Sequence, residues 1–232
     1  MPKLNLDIII PTLNEEKNLS KIIPFLRNNT DINTKCYVVD SVQSTDKSYD
    51  FCNKNGINYI KSEFSRRSKQ MNEGAEAGDG DILLFLHADV IPPPNFQFCI
   101  EKVLFEGYKA GFFSYKFDSS SFLLKINAFF TNFGGMFAGG GDQCQFFTRE
   151  LFERYNGYKE DYEIMEDFEM IDRLKQKNER IAIIKNPAIV SARKYSKNSY
   201  LKVNYVNLVA FLKYKRKVSN CQVKEYYKQS LN

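Results

Sequence analysis

Short apolar runs alternate along this chain with stretches in which apolar residues recur every three or four positions. Residues 6–10 (Leu-Asp-Ile-Ile-Ile), 36–40 (Cys-Tyr-Val-Val-Asp), 57–60 and 82–86 (Ile-Leu-Leu-Phe-Leu) have the length and the β-branched or aromatic content of strands buried in a parallel sheet. Between them, Leu19, Ile22, Ile23 and Leu26 mark one helical face, with Pro24 predicting a kink or a later start. Residues 47–55 predict a second helix, which Ser44, Thr45 and Asp46 can cap and Gly56 closes. Residues 65–77 predict a third, with Arg66, Arg67 and Lys69 near its beginning, where cations oppose the helix dipole and an anionic partner would relieve them. Four strand–helix repeats within about 90 residues predict a mostly parallel sheet flanked by helices, an α/β fold.

The second half is less regular. An amphipathic helix is predicted over 96–106, after Pro92-Pro93-Pro94, and a strand over 111–117. Residues 122–133 form a very aromatic segment, helical or mobile. Gly134, Gly135, Gly139, Gly140 and Gly141 fall within eight residues, as a loop needing unusual backbone angles or close approach to a ligand would have. A strand (144–148), helices (149–155 and 164–176) and a strand ending before Pro187 (181–184) follow. From residue 200 to 218, Leu201, Tyr205, Leu208 and Leu212, with Val209, recur at helical spacing before Lys213, Lys215, Arg216 and Lys217. Residues 1–195 are therefore expected to form one α/β domain and residues 196–232 a basic, amphipathic helical appendage.

Composition narrows the function classes. The chain has 232 residues, 43% of them hydrophobic, enough for one substantial core. Its five cysteines are scattered without CxxC spacing and it has a single histidine, which argues against a zinc site or a disulfide framework and predicts reduced thiols in a cytoplasmic protein. The N-terminus lacks a signal-peptide pattern, and no run reaches the roughly 20 apolar residues of a membrane-spanning helix. The net charge of +5 is uneven: residues 193–232 hold ten Lys or Arg and one acid, leaving 23 basic and 27 acidic side chains in the rest. An acidic body argues against nucleic-acid binding.

Asp40 and Asp89 each follow a buried strand, so both belong at the carboxyl edge of the sheet, where open α/β sheets bind ligands. Glu166 and Asp167 open a helix, where negative charge is favoured. One such carboxylate can hold a hard divalent cation that also binds a diphosphate, and another can act as general base. Arg66, Arg67 and Lys69 could meet phosphate. Each of these residues is equally at home as a cap or a solvated side chain, and the residues alone leave both readings open.

Residues 8–16 (Ile-Ile-Ile-Pro-Thr-Leu-Asn-Glu-Glu), Val38-Val39-Asp40 with Ser44-Thr45-Asp46, and Asp81 to Asp89 resemble family 2 glycosyltransferases of the GT-A fold. Arg67 to Asn72, Gly141-Asp142-Gln143 and Met165-Glu166-Asp167 are similar to a small bacterial branch of that family. The resemblance spans about residues 5 to 195. It implies a Rossmann-like GT-A sheet and transfer of one sugar from a nucleotide-sugar donor, UDP-linked or another nucleoside diphosphate, to an acceptor hydroxyl. By position it places Pro11, Thr12 and Glu15 against the nucleotide, Asp40 on the base, usually uracil, and Arg67 near the nucleotide and its phosphates. Asp89 matches the last aspartate of the metal-binding DxD motif, for Mn²⁺ or Mg²⁺. Asp167 matches the general base of inverting members.

Two departures stand out. The first aspartate of DxD is His87 here, a residue able to hydrogen-bond ribose, and the usual glycine-rich turn after Asp40 reads Ser41-Val42-Gln43. The QxxRW motif of processive members is absent, which implies single transfers. A catalytically silent sugar-nucleotide binder of the same fold is the competing class, suggested by His87, and a nucleotidyltransferase is a more distant one. The basic tail has two readings: a helix packed on the body with solvated cations, or a surface lying on the anionic inner face of a membrane beside a lipid-linked acceptor.

Overall fold

The computed structural model describes residues 4–133 and 139–231. Part of the glycine-rich loop, residues 134–138, lies outside them. The first half contains β1 (Leu6–Thr12), α1 (Glu16–Asn29), β2 (Thr34–Asp40), α2 (Ser48–Lys54), β3 (Asn58–Lys61), α3 (Arg67–Ala77) and β4 (Ile82–Phe85). The second contains β5 (Val90–Ile91), α4 (Phe96–Phe105), β6 (Ala110–Phe117), α5 (Phe122–Phe130), a 3-10 turn at Gly141–Gln143, β7 (Phe146–Thr148), α6 (Arg149–Arg154), α7 (Glu166–Gln176) and β8 (Ile181–Val190). Three helices close the chain: α8 (Arg193–Lys197), α9 (Tyr200–Lys215) and α10 (Asn220–Leu231). Among the described residues no helix is long and apolar enough to cross a membrane.

One eight-stranded sheet runs in the order β3-β2-β1-β4-β7-β6-β8-β5. The strands β3, β2, β1 and β4 are mutually parallel, as the strand–helix alternation predicts. The second half is mixed: β7 runs antiparallel to both β4 and β6, β8 is parallel to β6, and β5 is antiparallel to β8. The two halves meet where β4 pairs with β7 through only three residues on each strand.

Alternation along the strands splits the core into two layers. Ile8, Ile10, Val38 and Leu84 face α1, α2 and α4, while Ile9, Val39, Leu83 and Phe85 face α3, α6 and α7. Every residue of β1 is buried. Helix α3 packs so closely that a Cβ on Gly74 would stand 2.5 Å from a methyl of Ile9.

One charge is built into this core. Asp7, 1% exposed, accepts from Arg149 Nη2 at 2.9 Å and from the Gly80 amide at 2.6 Å. Arg149 also donates to the carbonyls of Gly80 (2.7 Å) and Ala75 (2.8 Å), so its planar fork ties β1 to the α3–β4 turn and the start of α6.

Three local expectations change. Pro24 lies inside α1 without ending it, because Leu19, Ile22, Ile23 and Leu26 anchor that helix in the core. The 181–184 strand continues through Pro187 to Val190: pairing with β6 shifts register between Phe113 and Tyr115, a bulge that accommodates a residue with no N–H. The apolar stripe read from Leu201 to Leu212 is the outer face of α9. Val203, Val206, Ala210 and Phe211 face inward instead.

Candidate active site

The carboxyl ends of β1, β2 and β4 open on one edge of the sheet. Asp40 closes β2 there, 2% exposed. Thr12 Oγ1 donates to its Oδ1 at 2.9 Å, and Tyr59 O–H and Lys61 Nζ reach its Oδ2 at 2.9 and 3.3 Å. Burial and Asp40 push the Tyr59 phenol well up, so it stays a donor. Gln70 Nε2 donates to the carbonyls of Thr12 and Val39, bracing both strand ends from α3. Pro11 is buried just before Thr12. A carboxylate offers about four acceptor positions. Three are taken here, leaving one for a ligand N–H.

At the start of α1, a cleft of about 450 Å³ is lined by Glu15, Lys21, Asp46, Asp89 and Arg193, among others. The N-cap position of α2 is Lys47, and Asp46 stands just before it. Its oxygens accept from the amides of Ser48 (3.1 Å) and Glu16 (2.8 Å), joining the starts of α1 and α2. Asn14, in the left-handed region at φ 57°, accepts from the amides of Thr45 and Asp46 and fixes the loop against them. Burial, reinforced by Asp89, pushes the Glu15 carboxyl up despite the hydrogen bond from Asn18.

The third cluster comes from farther along the chain. Arg67, first residue of α3, pairs through Nε with Glu166 and lies 3.9 Å from Asp167 Oδ2. Glu166 and Asp167 are 1% and 5% exposed. Met165 precedes them at φ 66°, a left-handed conformation that β-carbon-bearing residues rarely adopt, and it turns the chain sharply into α7. Burial, then the neighbouring Glu166, pushes the Asp167 carboxyl up to about 6 against the pull of Arg67 and His87. His87 Nδ1 stands 3.5 Å from Asp142. Burial and Arg67 oppose charge on His87, but Asp142 and Asp167 outweigh them and push its imidazole up.

The structure thus gathers the predicted residues at one edge, in two groups. Pro11, Thr12, Glu15, Asp40 and Asp89 line the β1–β2–β4 side, and Arg67, His87 and Asp167 the other. Arg67 is held by the carboxylates of α7. Sequence reasoning missed Tyr59, Lys61, Arg193 and Gln145. Gln145 is 1% exposed, donates to the Asp167 carbonyl at 3.0 Å and accepts from the Tyr158 hydroxyl at 2.7 Å. An amide between Cys144 and the apolar Phe146-Phe147 pair was its one visible signal. Arg193 had none beyond its place in a basic tail.

Among the described residues no three His, Cys, Asp or Glu side chains converge as a protein-only metal cage. The donor set at the cleft, Asp89 with Glu15 nearby, fits a Mg²⁺- or Mn²⁺-type ion that takes most of its ligands from a phosphate-bearing substrate and water.

Comparison with known proteins agrees with this architecture. A family model described as glycosyl transferase family 2 matches residues 7–135. A mannosyltransferase from Pyrobaculum calidifontis, in complex with GDP-Man and Mn²⁺, superposes with a TM-score of 0.70 at 13% identity, covering 98% of this chain and 74% of that one. TarS 1-349 from S. aureus, in complex with UDP, gives 0.67 at 13% identity, covering 99% and 71%. Glucosyl-3-phosphoglycerate synthase from Mycobacterium tuberculosis, with Mn²⁺, UDP and glucosyl-3-phosphoglycerate, gives 0.59 at 18% identity, covering 90% and 79%. At these identities the likeness concerns the fold. No curated protein matches the sequence.

Proposed function

Because this chain belongs to glycosyl transferase family 2, we propose that it moves one sugar from a nucleoside-diphosphate sugar to an acceptor hydroxyl, with inversion and one transfer per encounter. The observation that carries this reading is Asp167: a buried carboxylate, held up at about 6, at the sheet edge that also bears Asp40 and Asp89. Its environment suits a general base working near neutrality.

The nucleotide lies along the β1–β2 edge. Pro11 and Thr12 support it, and the open acceptor position on Asp40 takes an N–H of the base, such as that of uracil. Its diphosphate enters the cleft beside Asp89 and Glu15. His87 faces the ribose. Arg67, with four N–H groups beyond the one given to Glu166, lies close enough to Asp167 to orient it and meet donor charge. The acceptor oxygen attacks the anomeric carbon from the face opposite the leaving phosphate. Asp167 takes the hydroxyl proton as the new C–O bond forms, and the old C–O electron pair leaves with the nucleoside diphosphate. When bound at Asp89, a divalent cation supplies Lewis-acid stabilisation of that leaving charge.

A panel of nucleoside diphosphates and their sugars, scored by thermal shift with and without Mn²⁺ or Mg²⁺, tests the donor side. One nucleotide should stabilise the protein far more when the metal is present. Asp89→Ala should weaken that metal-dependent binding by roughly tenfold or more. Equal binding with and without metal in both proteins would remove Asp89 from the metal site.

The pH profile tests the base. Asp167 must be deprotonated to act, and its proton leaves only as pH passes about 6. We expect kcat/KM to fall about tenfold per pH unit below that value and to level off above it. Linkage runs the other way. The folded state holds this proton more tightly than the unfolded chain, so the group's contribution to stability is present below the ordinary value of 3.8 and is lost as pH rises through about 6. An activity profile flat between pH 5 and 8 would exclude Asp167 as the base.

A further inference from the structure

Two neighbouring helices leave apolar faces uncovered. On α5, Leu124 and Ala128 are buried, while Phe122, Ile126, Phe129 and Phe130 face solvent, Phe122 at 73% and Phe130 at 65% exposure. On α9 the inward residues are Val203, Val206, Ala210 and Phe211, and Leu201, Tyr205, Leu208 and Leu212 lie exposed on another side. The helices touch: Asn127 Nδ2 donates to Asn204 Oδ1 at 2.9 Å, and the Tyr200 hydroxyl donates to Asn127 Oδ1 at 2.7 Å. At 100° per residue, Asn127 and Asn204 each sit between the buried and the exposed stripe of their helix, so both apolar stripes border one junction.

The charge on the segments that form this surface is predominantly positive, although Lys215 is paired with Asp172 of α7 at 2.5 Å. Residues 116–133 and 194–217 together carry nine Lys or Arg and a single acid, Asp118, whose carboxylate accepts the Ala192 amide. Lys116, Lys125, Lys202, Arg216 and Lys217 are exposed. Contiguous exposed aromatic and aliphatic side chains of this extent mark an interaction surface. A second copy of this chain docked face to face would set two predominantly cationic surfaces against each other, which disfavours that occupant. Aromatics rimmed by lysines match instead the boundary of a bilayer, where anionic headgroups meet the acyl region.

We propose that the α5–α9 face is a peripheral docking surface for an anionic lipid bilayer, with the α5 phenylalanines entering the headgroup–acyl boundary and the α9 cations meeting lipid phosphate. The amphipathic tail read from the sequence supplies half of this surface, and α5 supplies the other half. Its position also bears on the reaction proposed above. The Phe211 ring of α9 packs 5.3 Å, centroid to centroid, from that of Phe168, the residue after Asp167. A bilayer on this face is one helix, α9, away from the helix that carries the base, so, given that reading, the acceptor hydroxyl belongs to a lipid-linked molecule.

Liposome flotation of the full chain tests the docking without donor or acceptor, so its failure leaves the sugar-transfer reading standing. The protein should float with phosphatidylglycerol-rich vesicles, poorly with phosphatidylcholine vesicles, and less at high salt. Phe129→Asp combined with Leu208→Asp should lower recovery with acidic vesicles by about tenfold or more. Both positions are exposed, so melting temperature and donor binding should match the unaltered protein. Three results would overturn the proposal: no flotation of the unaltered protein, equal flotation of the double variant, or a dimer in size-exclusion chromatography that the double variant abolishes. The last would make the face a contact between copies.

Discussion

Replacing Asp167 by Asn lowers kcat by about a thousandfold and leaves donor affinity within about threefold, the signature of a lost general base. The amide has nearly the volume of the carboxylate but does not accept a proton in this role. The scaffold around it stays: Gln145 donates to the backbone carbonyl of residue 167, not to its side chain, and Arg67 keeps Glu166. Because the proton is taken only as the new bond forms, kcat and kcat/KM should fall together. Steady-state kinetics with the donor identified by thermal shift, alongside calorimetric donor binding to both proteins, decides it. Turnover within a few-fold of the unaltered enzyme would assign the base elsewhere. An unaltered protein that binds donor yet transfers to no acceptor would return the weight to a silent sugar-nucleotide binder.

The largest expected effect on stability lies away from the chemistry. Asp7→Ala should cost about 3 kcal/mol, the lower end for a buried pair that loses one partner, because Arg149 keeps only the exposed carboxylate of Glu153 at 3.5 Å. Arg149, held by the carbonyls of Ala75 and Gly80, cannot swing out to water without giving up both, and the Gly80 amide loses its acceptor as well. Asp7→Asn keeps an acceptor for that amide and should cost less. Adding Arg149→Met to Asp7→Ala should recover part of the loss, since the poorly compensated charge is then gone. Urea titration at pH 7 measures all three variants, with an unchanged m-value marking the effect as one of stability. A loss under about 1 kcal/mol for Asp7→Ala would mean that water reaches Arg149 and screens it.

The parallel half of the sheet was legible because each of its strands is short, apolar and bounded by turn residues. For the same reason Asp40 and Asp89 could be placed at the ligand-binding edge before any coordinates. Periodicity was informative but incomplete at α9. That helix has two apolar stripes, and only its tertiary partners, α10 along its length and Phe168 of α7 at Phe211, decide that Val203, Val206, Ala210 and Phe211 turn inward. The side chains that complete the site are illegible for a different reason. Lys61 meets Asp40 across 21 residues and Arg67 meets Glu166 across 99, and no local pattern encodes such a pairing. Pro187 reads as a strand stop by its missing N–H, yet a bulge against β6 absorbs it.

The order of the strands has a consequence for how this chain leaves the ribosome. Once residue 85 has emerged, β1 to β4 can already assemble, since each finds its parallel partners within the first half. The outer edge of β4, Ile-Leu-Leu-Phe, waits for β7, which begins only at Phe146. Throughout that interval a growing chain presents an unpaired, wholly apolar strand edge, the kind that recruits other chains. The short seam that joins the two half-sheets in the finished protein is, during synthesis, the place where a chaperone would be needed.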